Sequence, residues 1–151
     1  MNHKTGLELV CTKVLRQHEE LRARLRGLDR MASGALCATG RAQLHVGLVR
    51  FASAFDAHLA FEEEQLVEAM RDLDPWSGVR DVALREEHTE QRARLERLCA
   101  MAEEEDSVTT SELSGEVHWL VDMLLVDIVE EESRLTVLLQ IEAQGYEQMT
   151  G

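Results

Sequence analysis

Apolar residues recur along this chain in alternating steps of three and four. The first run is Leu7, Cys11, Val14, Leu21, Leu25 and Leu28, and the second is Leu44, Leu48, Phe51 and Phe55. Leu84, Leu95 and Leu98 form the third, and Leu113, Val117, Leu120, Leu124, Leu138 and Ile141 the fourth. This period predicts four long helices, each with one apolar stripe facing a shared core. Nothing alternates with period two, so no strands are expected. The helices are expected at about 5–31, 40–71, 75–105 and from 109 to just before Gly145.

Local signals set these limits. Ser33, Gly34 and Gly40 mark the first break, with Thr39 as N-cap of the second helix. Asp74 before Pro75 has the favoured order for a helix start, within a turn over 72–76. Thr109 and Glu112 have capping-box spacing, and Gly145 reads as a stop. Short connections between long helices favour antiparallel neighbours, so the chain reads as a single domain over 1–151: an all-α, up-and-down antiparallel four-helix bundle.

The stripes have polar gaps. His18, His58, Glu62, His88, Gln91, Asp127 and Glu131 stand where core residues belong. A buried carboxylate without a compensating charge costs several kcal/mol, so three carboxylates and three histidines in these positions point to a cation. The order also repeats. His18 precedes His58-x-x-x-Glu62 by 40 positions, and His88 precedes Asp127-x-x-x-Glu131 by 39. The i, i+4 spacing puts both members of each pair on one helix face. Two helical hairpins would thus each supply one His and one two-ligand pair to a common layer. Imidazole with carboxylate suits Fe, Mn or Zn, and six ligands suit two ions sharing carboxylates.

Composition narrows the function. The formal charge of −13 argues against nucleic acid and anionic membranes as partners. Cys11, Cys37 and Cys99 are far apart and form no CxxC, so a thiolate zinc site is not expected, and unpaired thiols suit a reducing, cytoplasmic setting. The first twenty residues lack the apolar stretch of a signal peptide, and the apolar segment 119–129 is too short and too acidic to span a bilayer. No phosphate loop and no GxSxG elbow is present.

The residues around these gaps carry a family likeness. They are the His in QHEELRARL, the segment HLAFEEEQL, the EEH ending at His88, and DIVEEESRL. Together they resemble the hemerythrin-like (HHE cation-binding) family over nearly the whole chain. The resemblance implies a non-haem di-iron centre, oxo- or hydroxo-bridged, on His18, His58, Glu62, His88, Asp127 and Glu131. It implies binding or sensing of O2, NO or peroxide, or iron handling. Members usually carry His-x-x-x-Glu in both second helices, and here Asp127 replaces the second His. The animal oxygen carriers have a further His where this chain has Arg92. A carboxylate-rich set favours the oxidised ion and tolerates Mn, which leans towards O2 or peroxide reduction. The ferritin-like oxidases use Glu-x-x-His, and no histidine here has Glu three residues before it.

Other functional classes remain in view. One is an enzyme that turns over peroxide or Fe(II). Another is an interaction module in which metal staples the helices, and a signalling role would then act through a protein partner. Among other residues, Glu63 and Glu64 read as a solvated charge run, with Glu63 an alternative to Glu62 and Glu130 a register alternative to Glu131. Gln91 reads as a hydrogen-bonding neighbour of the ligands. His45 and His118 fall off the core face, His3 lies in the terminus, and Trp76 and Trp119 read as packing residues.

Overall fold

The computed structural model describes residues 3–34, 38–73 and 75–150. Helix α1 spans Gly6–Ser33 and begins on Thr5, whose side chain accepts a hydrogen bond from the Glu8 N–H. Helix α2 spans Ala38–Phe61, continues through a π-helical turn at Glu62–Leu66, and ends as α3, Val67–Met70. Helices α4 and α5 span Ser77–Glu103 and Thr110–Thr150. The described residues contain no strand. The fold is therefore all-helical, with four long helical runs, consistent with a helical bundle.

Several boundaries differ from those expected. Thr39 and Gly40 are already helical, so neither caps nor breaks the second helix, and the preceding residues 35–37 lie outside the described set. Asp74 also lies outside it, and α4 starts two residues beyond Pro75. The expected capping box does form: the Glu112 N–H donates to Thr109 Oγ1 at 3.1 Å, and the Thr109 N–H donates to Glu112 Oε2 at 3.4 Å. Gly145 does not stop α5, which runs on to Thr150. A stop there needs a left-handed residue, whereas a helical glycine costs only about 1 kcal/mol relative to Ala.

Contacts between helices run in opposite residue order. Along α1 and α5, Thr5 meets Glu142, His18 meets Glu131, and Asp29 meets His118. Along the second run and α4, His45 meets Glu103, Asp56 meets Arg92, and Glu63 meets His88. Gly47 faces α1, where an added Cβ would lie 3.0 Å from the end of the flexible Met31 side chain. Buried Arg41 crosslinks three elements, donating to the carbonyls of Val108 at 2.7 Å and Met101 at 3.3 Å and to Thr110 Oγ1 at 3.3 Å.

Two apolar clusters fill the interior. One holds Leu21, Leu25 and Leu28 with Leu44 to Leu59, Leu95, Leu98 and the first half of α5. The other holds Leu7, Cys11, Val14, Leu66, Met70, Leu135 and Leu138. His18, Glu62 and Glu131 fall between the two clusters along their helices, His58 and Asp127 stand just before the last residues of the first, and His88 and Gln91 precede its first residue on α4, so the polar gaps of the sequence gather at the border of the two clusters. Burial pushes the Cys11 thiol up to about 11, which keeps it a protonated core residue. Cys99 is also free, and Cys37 lies outside the described residues. No described helix is long and apolar enough to cross a membrane.

Candidate metal centre

The apolar stripe of each helix carries its polar gap inward. His18 comes from α1, His58 from the last turn of α2, Glu62 from the π turn, His88 and Gln91 from α4, and Asp127 and Glu131 from α5. Ligand atoms of His18, His58, Glu62 and Glu131 all lie within 4.8 Å of one another. This buried His/Glu cluster could hold a metal ion. The imidazoles of His18 and His58 meet edge-to-face with centroids 5.0 Å apart. The small cavity here is about 10 Å3, the size of one ion or water, and its polar lining is His18, His58, Glu62, Gln91, Asp127 and Glu131.

Glu62 is the centre of this arrangement. It is 0% exposed, and neither carboxylate oxygen has an aligned hydrogen-bond donor among the described residues. Its Oε1 lies 2.8 Å from His58 Nε2 and 3.6 Å from His88 Nε2. These nitrogens approach by distance without donating along the bond. An acceptor left this way is costly, and a cation is the partner that lone pairs of O and N can share.

The outer ring nitrogens explain why the inner ones face Glu62. His58 Nδ1 is 2.7 Å from Gln17 Oε1, His18 Nδ1 is 2.9 Å from Glu132 Oε2, and His88 Nδ1 is 3.1 Å from Glu63 Oε1. Each acceptor oxygen is placed to take an Nδ1–H, and in the neutral ring that tautomer would leave the Nε2 lone pair directed inward. Glu63, expected in a solvated charge run or as an alternative to Glu62, is mostly buried against His88 and Arg92. The sequence reading missed Gln17 and Glu132. Their one available signal was position, next to the ligands His18 and Glu131.

Charge within the layer is uneven. Burial works against ionisation of Glu62, but the nearness of His58 and His88 outweighs it and holds the carboxyl well below its usual range. Burial raises Glu131, and the neighbouring Glu62 charge adds to this, taking it to about 8. Burial would lower His18 and His88, but Glu131 and Glu62 respectively reverse this, so both imidazoles are raised. A proton therefore sits between Glu131 Oε1 and His18 Nε2, which are 2.8 Å apart, and a metal ion would have to displace it.

The six expected ligands are not equally placed. Four converge directly. His88 touches the cluster through Glu62, and Asp127 lines the cavity while accepting a hydrogen bond from Gln91 Nε2 at 3.1 Å. Of the other histidines, His118 pairs with Asp29 at 2.5 Å and His45 lies 3.6 Å from Glu103, both away from this layer. Trp76 and Trp119 are exposed rather than packed inside, and Arg94 lies over the Trp119 ring. A largely apolar cavity of about 140 Å3, walled by Leu66, Met70, Leu84, Leu135 and Leu138 with Arg80, Glu87 and Arg134 also on its lining, borders Glu131. No protein-family model, curated protein or solved structure matches this chain.

Proposed function

We propose that this protein is a hemerythrin-like metal protein, an up-and-down antiparallel four-helix bundle that holds a non-haem iron pair and binds or senses O2, NO or peroxide. The observation that carries the reading is Glu62, whose two buried oxygens lack aligned donors while facing His18, His58 and Glu131. The opposite order of inter-helix contacts supports the topology. His18, His58, Glu62 and Glu131 would hold one ion, and His88 with Asp127 would serve the second. Bound iron supplies redox chemistry and affinity for diatomic ligands. The chain's own residues would keep the imidazole lone pairs directed inward, and Phe55, Leu124 and Ile128 give the cavity its apolar wall.

A second reading is favoured by the compactness of the four-residue cluster. In it a single Fe, Mn or Zn ion joins three helical runs and serves as a staple between the two apolar clusters. The test is metal content after purification without chelator, with visible spectra before and after air exposure. About two irons per chain, with charge-transfer bands appearing on oxidation, support the di-iron reading. One ion without reactivity supports the staple, and sustained turnover of peroxide or Fe(II) marks an enzyme. A folded, colourless, metal-free protein that takes up no added ion overturns both metal readings.

A further inference from the structure

Outside the converging ligands the layer has a second ring, and that ring is duplicated. Glu132 Oε2 accepts from His18 Nδ1 at 2.9 Å, and its Oε1 accepts from Arg22 at 2.5 Å. Glu63 Oε1 accepts from His88 Nδ1 at 3.1 Å, and Arg92 grips both Glu63 oxygens, at 2.6 and 3.1 Å. Each arginine stands four residues after its histidine, and each glutamate directly follows an inner glutamate, Glu131 or Glu62. The pairing is crossed. The α1 histidine is held by the Glu pair of α5, and the α4 histidine by the Glu pair of the π turn. Outer anchors hold each arginine in turn: Glu19 takes Arg22 at 2.8 Å, and Asp56 takes Arg92 at 2.7 Å.

We infer that Arg22 and Arg92 are positioning residues, each acting through Glu132 or Glu63 to fix one imidazole in the Nδ1–H form with Nε2 free for metal. The inference rests on the metal reading above and deepens it. An ionised carboxylate on Nδ1–H fixes the tautomer and ring orientation and makes the inner nitrogen a better ligand. The arginine keeps that carboxylate in place, and the two-pronged grip of Arg92 is one that Lys cannot reproduce. Arg92 thus has a definite task at the position where oxygen carriers of the resembled family have a ligand. Its side chain points outward to Glu63 and Asp56, which makes it part of the frame around the centre.

The test is long-range 1H–15N correlation of the histidine rings in metal-free protein, at a pH where the imidazoles are neutral. Arg92→Leu and Glu63→Leu should move His88 out of the Nδ1–H form and leave His18 unchanged. Arg22→Leu should do the reverse. Glu63→Gln should keep the His88 tautomer, because an amide oxygen still accepts. Arg92→Lys, which keeps the charge and tolerates the fold, should give an intermediate tautomer ratio. Competition with a chromophoric chelator should then show zinc bound roughly 10–100-fold more weakly by the Leu variants. Unchanged tautomers in both Arg92→Leu and Arg92→Lys, both rings responding to one variant, or unchanged zinc affinity would each overturn the inference. If wild-type protein takes up no zinc while the tautomers still switch as described, the relay is upheld and the metal reading alone falls.

Discussion

At a pH where the facing imidazoles are neutral, replacing Glu62 by Leu should make the metal-free protein more stable and the metal-loaded protein less stable, so the order of the two proteins should invert with chelator. Glu62 is 0% exposed, and its two oxygens have no aligned donor. A buried acceptor left in this state costs about 1–3 kcal/mol, and more when charged. Some of that is returned by His58 Nε2 at 2.8 Å and by His88 at 3.6 Å. Apolar replacement of a whole buried ion pair is commonly neutral or stabilising by about 1–4 kcal/mol, and the comparison holds for Glu62 once the facing imidazoles are neutral; with them charged, removing this one partner would instead cost about 3–5 kcal/mol. Removing the Glu62 charge also relieves Glu131, which that charge pushes up. The expected net gain in EDTA is about 1–3 kcal/mol, or roughly 2–4 °C in Tm per kcal/mol for a chain of this size. Wild type at a metal concentration of 100 Kd should gain about 2.7 kcal/mol, whereas Glu62→Leu should gain nothing. The assay is thermal unfolding followed at 222 nm, with EDTA and with Fe(II) or Zn(II). A variant that melts below wild type in EDTA would refute the reasoning, because Glu62 would then be a satisfied structural acid. A variant still stabilised by metal would refute it as well.

Four further outcomes are expected. The metal-free Tm should fall as pH rises from about 6 to 9. His18 and His88 are raised above 6.5, so their contribution is full below that value and lost as pH climbs through the folded pKa; Glu131, raised from 4.5 to about 8, acts in the same direction over that interval. Metal affinity measured by chelator competition should rise over the same range, since binding displaces the shared proton. Arg41→Ala should cost about 3 kcal/mol or more in urea unfolding, because it strands the Val108 and Met101 carbonyls, and it should leave metal stoichiometry unchanged. Asp127→Ala should lower iron content from two to one per chain if Asp127 serves a second ion, and should leave a one-ion protein intact, as read by elemental analysis.

The helices were legible because their stripe is regular. Leu7, Cys11, Val14, Leu21, Leu25 and Leu28 all proved buried, as did Leu113, Val117, Leu120 and Leu124. The polar gaps were legible for the same reason: a histidine at position 18 or 88 interrupts a stripe that burial otherwise keeps apolar. Helix ends were less so. Gly40 and Gly145 look like stops, yet each lies within a helix, where a glycine costs only about 1 kcal/mol relative to Ala. The π turn at Glu62–Leu66 had no legible signal. The Val67 N–H reaches back five residues to the Glu62 carbonyl, which is the π-helical pattern.

The outer frame shows where reading a sequence stripe by stripe stops working. Glu63 and Glu132 lie one residue past the inner ligands, about 100° around the helix, where a residue normally meets solvent. In a chain with 29 acidic residues, nothing local separates them from Glu64 or Glu130. What separates them is a partner far away in sequence: Arg92, 29 residues from Glu63, and Arg22, 110 residues from Glu132. Yet the frame was encoded in the repeat. His18 with Arg22 and His88 with Arg92 have the same spacing, and Glu62-Glu63 and Glu131-Glu132 are the same doublet. Overlaying the two halves of the chain therefore singles out the Arg–Glu–His relay together with the ligands. It also isolates the place where the halves disagree, His58 against Asp127. His58 gives its Nδ1–H to Gln17, whereas Asp127 takes a hydrogen from Gln91. One half thus presents a free nitrogen to the centre and the other a carboxylate already engaged, and the four-donor cluster forms around the half that kept its histidine.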